Sequence, residues 1–82
     1  FTDYMVILTA ESDRQINAIR DEIIHSLKQS DVYPRHVEGD ASSGWILIDY
    51  IDVVVHIFAP AEREYYHLDS VWPAANPVVQ IP

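Results

Sequence analysis

Apolar and polar positions along this chain follow two different periods, and the changes of period mark its elements. Tyr4-Met5-Val6-Ile7-Leu8-Thr9 is a short apolar run with β-branched members, which has the length and character of a buried strand. Ser12-Asp13-Arg14-Gln15 has the form of a capping box, with Ser12 as N-cap and Gln15 reaching back. Ile16, Ile19, Ile23 and Leu27 then recur at spacings of three and four, with Asp13, Arg14, Asn17, Asp21 and Lys28 off that stripe. The spacing predicts an amphipathic helix of about four turns, ended by Ser30-Asp31.

Pro34 opens a weaker segment, Arg35-His36-Val37-Glu38, suited to a short edge strand because proline cannot donate to a central ladder. Gly39 to Gly44 reads as a polar loop. Trp45-Ile-Leu-Ile-Asp49 and Asp52-Val-Val-Val-His-Ile-Phe58 are two strand-length runs that read as a hairpin. Pro60 suits the first turn of a helix, and Ala61 to Leu68 gives two turns with Glu62 and Glu64 near the positive end of the helix dipole. Prolines recur from Pro73 onward, so the reading divides the chain into a domain at 1–72 and an extended Pro-rich tail at 73–82. The order β-α-β-β-β-α predicts a single small α/β domain with a mixed sheet of four or more strands and its helices on one face. The other face is then left to water or to a partner.

A two-residue loop at Tyr50-Ile51 would place Asp49 opposite Asp52, Ile48 opposite Val53, Ile46 opposite Val55 and Trp45 opposite His56. Side chains alternate across a strand. Ile46, Ile48, Val53, Val55 and Ile57 therefore share one wholly β-branched face, suited to packing under a helix. Trp45, Leu47, Asp49, Asp52, Val54, His56 and Phe58 share the other, which mixes aromatic, acidic and aliphatic groups. A slip of one residue would scramble this division.

Composition narrows what that mixed face can do. The chain has 82 residues, 49% of them apolar, which is one domain with a thin core. No run approaches the roughly 20 apolar residues of a membrane-spanning helix, and no signal-peptide pattern opens the chain. It begins at Phe1 and enters a strand almost at once, as though N-terminal elements were missing. There is no cysteine, so disulfides, cysteine-zinc sites and thiol nucleophiles are excluded. The formal charge is −8, from 13 acidic and 5 basic residues. Such a balance disfavours phosphate neutralisation and favours a basic or neutral partner; acidity that serves only solubility is the plain alternative.

The candidate groups each carry a bland and a functional reading. Asp49 and Asp52 serve either as turn residues at a solvated hairpin end or as an acidic clamp for a partner's Arg or Lys. Neither has the desolvated setting that raises a catalytic carboxyl. His56 has no HxH or HExxH neighbour; it reads first as a packed, hydrogen-bonded histidine beside Trp45, and second as a polar interface contact. Trp45, Phe58, Tyr65, Tyr66 and Trp72 serve mostly the core, yet Tyr and Trp are enriched at interface hot spots. At least two of them are expected at the surface.

The motifs "VEG", "WILIDYxDVVVHIF" and "REYYxLxxxW", in that order, with "DYMVILTAESDRQI" ahead of them, resemble the ribosomal silencing factor family, also called Iojap-like. The resemblance covers Thr2 to Trp72. It implies an α/β fold shaped like a nucleotidyltransferase but without catalysis, cofactor or metal. It also implies binding to the large ribosomal subunit through one of its proteins, with little direct nucleic-acid contact. Bound there, members block joining of the small subunit and repress translation. Some relatives act in large-subunit assembly, so the setting would be bacterial cytoplasm, plastid or mitochondrion. Carried over by position, the contact residues are Trp45, Asp49, Asp52, His56, Tyr65 and Tyr66; Leu68 and Trp72 fall to packing.

Two departures matter. Ile51 stands where the family has glycine, and Ala10 replaces another. A catalytic reading needs a Gly-rich phosphate loop and converging carboxylates on Mg²⁺, whereas this chain offers Ala10-Glu11-Ser12. Self-association through the mixed face or an open edge, most simply as a homodimer, is the remaining expectation.

Overall fold

Ser12 starts the first helix as its sequence requires. Its hydroxyl accepts the Gln15 N–H at 3.2 Å, and the Gln15 side chain returns a bond to the N–H of Glu11 at 2.8 Å. The capping box is thus formed, with its return bond one residue earlier than the simplest form. The computed structural model describes residues 3–67 and 78–81. Within them β1 (Tyr4–Thr9) leads to α1 (Asp13–Lys28), β2 (His36–Asp40), a 3₁₀ turn (Ala41–Ser43), β3 (Trp45–Asp49), β4 (Val53–Phe58), α2 (Pro60–Tyr66) and β5 (Val78–Ile81). The end of α1 is closed by Asp31 N–H to the Lys28 carbonyl and Val32 N–H to the Leu27 carbonyl, both 3.0 Å, with Asp31 left-handed at φ 59°. This is a Schellman motif carrying Asp where glycine is usual.

The sheet order is β2-β3-β4-β1-β5. β2, β3 and β4 run antiparallel, while β1 is parallel to both β4 and β5. The sheet is mixed, and its five strands among the described residues agree with the four or more expected. Val78–Ile81, expected within a tail beyond the domain, pairs with β1 as a strand of the sheet. Leu68 and Trp72 of the expected domain, and positions 73–77 and 82 of the expected tail, lie outside the described residues.

α1 fills the crossover and seals one face. Ile16 is buried against Ile46, Ile48, Val55 and Ile57, with Ile19, Ile23 and Ile24 packed around them. The four hairpin aliphatics are 0–6% exposed, so the face expected from alternation is the core. The second helix differs from expectation. Rather than joining α1, α2 lays Tyr66 on the rings of the opposite face, against Trp45 and Phe58. Arg63 of α2 donates to the Thr9 hydroxyl, and Thr9 pairs with Phe58 on that same face. A second buried cluster of Met5, Ile7 and Phe58 results, with Trp45 packed against it.

The hairpin register is two residues from the expected one. Trp45 pairs with Phe58, Leu47 with His56 and Asp49 with Val54. The two-residue loop is Ile51-Asp52, one residue further along. The Asp52 N–H bonds back to the Tyr50 carbonyl at 3.0 Å, and Tyr50 N–H to the Val53 carbonyl at 2.8 Å. The cause is the Asp49 carboxylate, which accepts the Ile51 N–H at 2.7 Å and draws the bend onto it. A slip of two preserves both faces, because side chains alternate with period two. Ile51 is held at φ +76° and is 57% exposed, the γ-turn conformation that strains a β-branched residue. Ile51→Gly should therefore raise stability by about 1 kcal/mol, read as a higher urea midpoint with an unchanged slope.

Among the described residues β2 forms an edge of the sheet, and all five of its residues are exposed. Its charges and the left-handed Gly39 make it a poor template for edge-to-edge pairing.

Candidate functional site

The six carried-over residues do not form one patch. Trp45, His56, Tyr65 and Tyr66 gather where β3 begins, β4 ends and α2 follows. Asp49 and Asp52 lie at the far end of the hairpin, roughly 13 Å along β3 from Trp45 at about 3.3 Å per residue.

His56 is buried rather than displayed at the surface. It is 7% exposed, and its Nδ1 accepts the Trp45 indole N–H at 3.0 Å. Its ring stacks on Phe58 at 5.9 Å with planes 6° apart. Burial lowers its pKa to about 4, so the neutral ring is the native species. The packed reading of His56 beside Trp45 is the one found, though the two meet diagonally rather than across the ladder.

Asp49 is not half of a free clamp either. Its carboxylate accepts Nε and Nη2 of Arg35 as well as the Ile51 N–H. The Arg35 guanidinium first, and then the Ile51 N–H, hold its carboxyl below the usual carboxylate range. Arg35 also donates its backbone N–H to the Asp49 carbonyl at 2.8 Å. Asp49 thus organises the turn and the β2 edge. Asp52 is exposed and does not face Asp49.

The aromatic end presents exposed rings. Tyr65 is 80% exposed and meets Tyr66 edge-on at 5.0 Å. Tyr66 is partly exposed and reaches Trp45 at 4.4 Å between centroids. Trp45 is half-buried, with Phe58 behind it at 5.1 Å. Beside these rings a groove of about 370 Å³ is lined by Glu38, Gly39, Ser43, Trp45, Leu47 and Tyr66. Glu38 and Ser43 were not singled out from the sequence, and Leu47 only as a member of the mixed face, although "VEG" belongs to the pattern that carried the resemblance. Among the described residues no group of three His, Cys, Asp or Glu is placed to hold a metal ion, and no helix is long and apolar enough to cross a membrane.

A family model described as "Ribosomal silencing factor during starvation" matches residues 1–82. The chain belongs to this family. It is 39% identical over 70 residues to the ribosomal silencing factor of Bacillus subtilis, covering 85% of this chain and 59% of that protein. A crystal structure of a Chromobacterium violaceum protein superposes with a TM-score of 0.78 at 38% identity, covering 83% of this chain and 57% of the other. The mouse protein named "Mitochondrial assembly of ribosomal large subunit protein 1" is 32% identical over 76 residues, 88% of this chain and 33% of that protein. This ribosomal silencing factor domain therefore spans less than two thirds of the length of each of these relatives.

Proposed function

We propose that the chain binds the large ribosomal subunit through one of its proteins, blocks joining of the small subunit and so represses translation, without catalysis. The observation that carries this reading is the family match over residues 1–82. The name of the mouse relative, which refers to assembly of the large subunit, agrees with a large-subunit partner. Charge favours a protein over RNA: −8 overall repels phosphate. The exposed Tyr65 and Tyr66, next to half-buried Trp45, are the residue types that anchor protein interfaces.

The test is pelleting of the chain with purified large subunits, alongside light scattering of subunit joining. The chain should pellet with large subunits and suppress joining when in excess. Tyr65→Ala, which removes no core contact, should weaken pelleting about tenfold, the effect of losing roughly 1.4 kcal/mol at an interface. Undiminished joining at saturating protein would overturn the reading.

A further inference from the structure

We propose that the groove between β2, β3 and α2 is a socket for one cationic side chain, a lysine or arginine presented by the protein partner. The inference deepens the ribosome-binding reading and rests on it for the partner's identity, though not for the chemistry of the socket.

The lining decides that chemistry. Glu38 supplies a carboxylate on the exposed edge strand, and no basic side chain lines the groove. Trp45 and Tyr66 supply ring surface, and Leu47 an apolar floor. The Trp45 and Ser43 donors that an anion would need are already committed, which leaves the Tyr66 hydroxyl as the side-chain donor of the lining. The Trp45 indole N–H points to His56. The Ser43 hydroxyl lies 2.8 Å from the Asp40 carbonyl and 3.2 Å from the Trp45 carbonyl, and the Ser43 N–H is held by the Asp40 side chain. The groove therefore presents π faces and a carboxylate but few free N–H or O–H groups. Cations are attracted to the faces of Trp and Tyr within about 6 Å of the ring centre, and a long aliphatic stem can lie along Leu47 while its head reaches Glu38. The nearest competitor for Glu38 is His36, 3.5 Å away on the same edge. Both side chains are well exposed, so a cationic head can displace that contact at small cost.

Charge complementarity and size both fit this occupant. The chain carries 13 acidic against 5 basic residues, and about 370 Å³ suits one long side chain with its waters rather than a helix or strand.

The socket is tested on the intact chain by NMR titration with N-acetyl-arginine amide and N-acetyl-lysine amide, with N-acetyl-glutamate amide at equal ionic strength as control. The expected result is saturable shifts of the Trp45 ring, Leu47 methyl and Tyr66 ring signals with the cationic amides only. Glu38→Gln should weaken that binding roughly threefold, and Glu38→Lys more strongly, in the range of an exposed ion pair. Both variants sit on an exposed edge and should keep the wild-type melting temperature. Equal shifts from the glutamate amide, or shifts indifferent to Glu38→Gln, would overturn the socket. Pelleting with large subunits is read separately. If the wild type does not pellet, the ribosome reading fails while the titration still decides the socket. If it pellets and Glu38→Lys pellets equally well, the socket is overturned as a partner contact.

Discussion

Gly39→Ala should destabilise the domain by about 2–5 kcal/mol, the largest single effect expected of a surface residue here. Two costs add. Gly39 sits at φ +86°, where a side chain costs about 1–2 kcal/mol. A Cβ at this position would also overlap the backbone carbonyl of Trp45, far inside any ordinary contact. Backbone cannot rotate aside as a side chain can, so β2 must shift away from β3, an overpacking cost of about 1–3 kcal/mol or more. Gly44 is the internal control. It is also left-handed, at φ +78°, but its Cβ would meet only the Glu62 side chain, which can swing away. Gly44→Ala should therefore cost about 1–2 kcal/mol. In a domain of this size 1 kcal/mol is about 4–8 °C of melting temperature. The measurement is a pair of thermal melts, with the Gly39 variant falling well below the Gly44 variant. Equal melting temperatures would show that the overlap with the Trp45 carbonyl is relieved without cost.

These two glycines also show what the sequence could and could not reveal. Elements set by local chemistry were legible. The capping box, the Ile16-Ile19-Ile23 stripe and the β-branched alternation of the hairpin each declare themselves within a few residues, and each is found. What failed was set by partners distant in sequence. Nothing near Asp49 announces that Arg35, fourteen positions away, will occupy it. The loop Gly39–Gly44 looked uniformly polar, yet Gly39 and Asp40 belong to β2 and only Ala41–Ser43 turn. The side chain of Asp40 decides this, because it accepts the Ser43 N–H at 2.9 Å and caps the 3₁₀ turn. The strand Val78–Ile81 was hidden by the prolines around it; what gives it structure is pairing with β1, a contact across nearly the whole chain.

The candidate site divides along the same line. The two faces of the hairpin were legible because alternation survives an even slip in register. The exposure of each member of the mixed face was not, because it depends on where α2 lands. With Tyr66 laid over Trp45 and Phe58, the exposed aromatic surface passes from the strand residues to the helix. His56 becomes the inner support of the aromatic cluster, through the hydrogen bond that fixes the Trp45 ring.

That inner position makes His56 the acid-sensitive point of the fold. Its Nδ1 accepts the Trp45 N–H, so the neutral ring carries its proton on Nε2. A second proton would have to enter at Nδ1, where two donors would then face each other in a buried site. The neighbours across the strands are Leu47 and Ile7, which offer no counter-charge. The native pKa is accordingly lowered to about 4 by desolvation, against 6.5 in an unfolded chain. Above pH 6.5 both states are neutral and His56 contributes no pH dependence. Between 6.5 and 4 the unfolded state binds a proton that the native state does not, so stability falls as pH falls. The loss is about 2 kcal/mol by pH 5 and approaches about 3 kcal/mol below pH 4. Asp40 and Asp49, whose carboxyls are held below their ordinary value of 3.8, contribute stability above that pH and lose it only in stronger acid. The window from pH 6.5 to 5 therefore isolates the histidine. Urea unfolding across that window should show the decline, and His56→Gln, which keeps an acceptor for the Trp45 N–H but cannot titrate, should flatten it. The other three histidines are exposed, so a slope that persists in the Gln variant would move the acid sensitivity away from this buried pair.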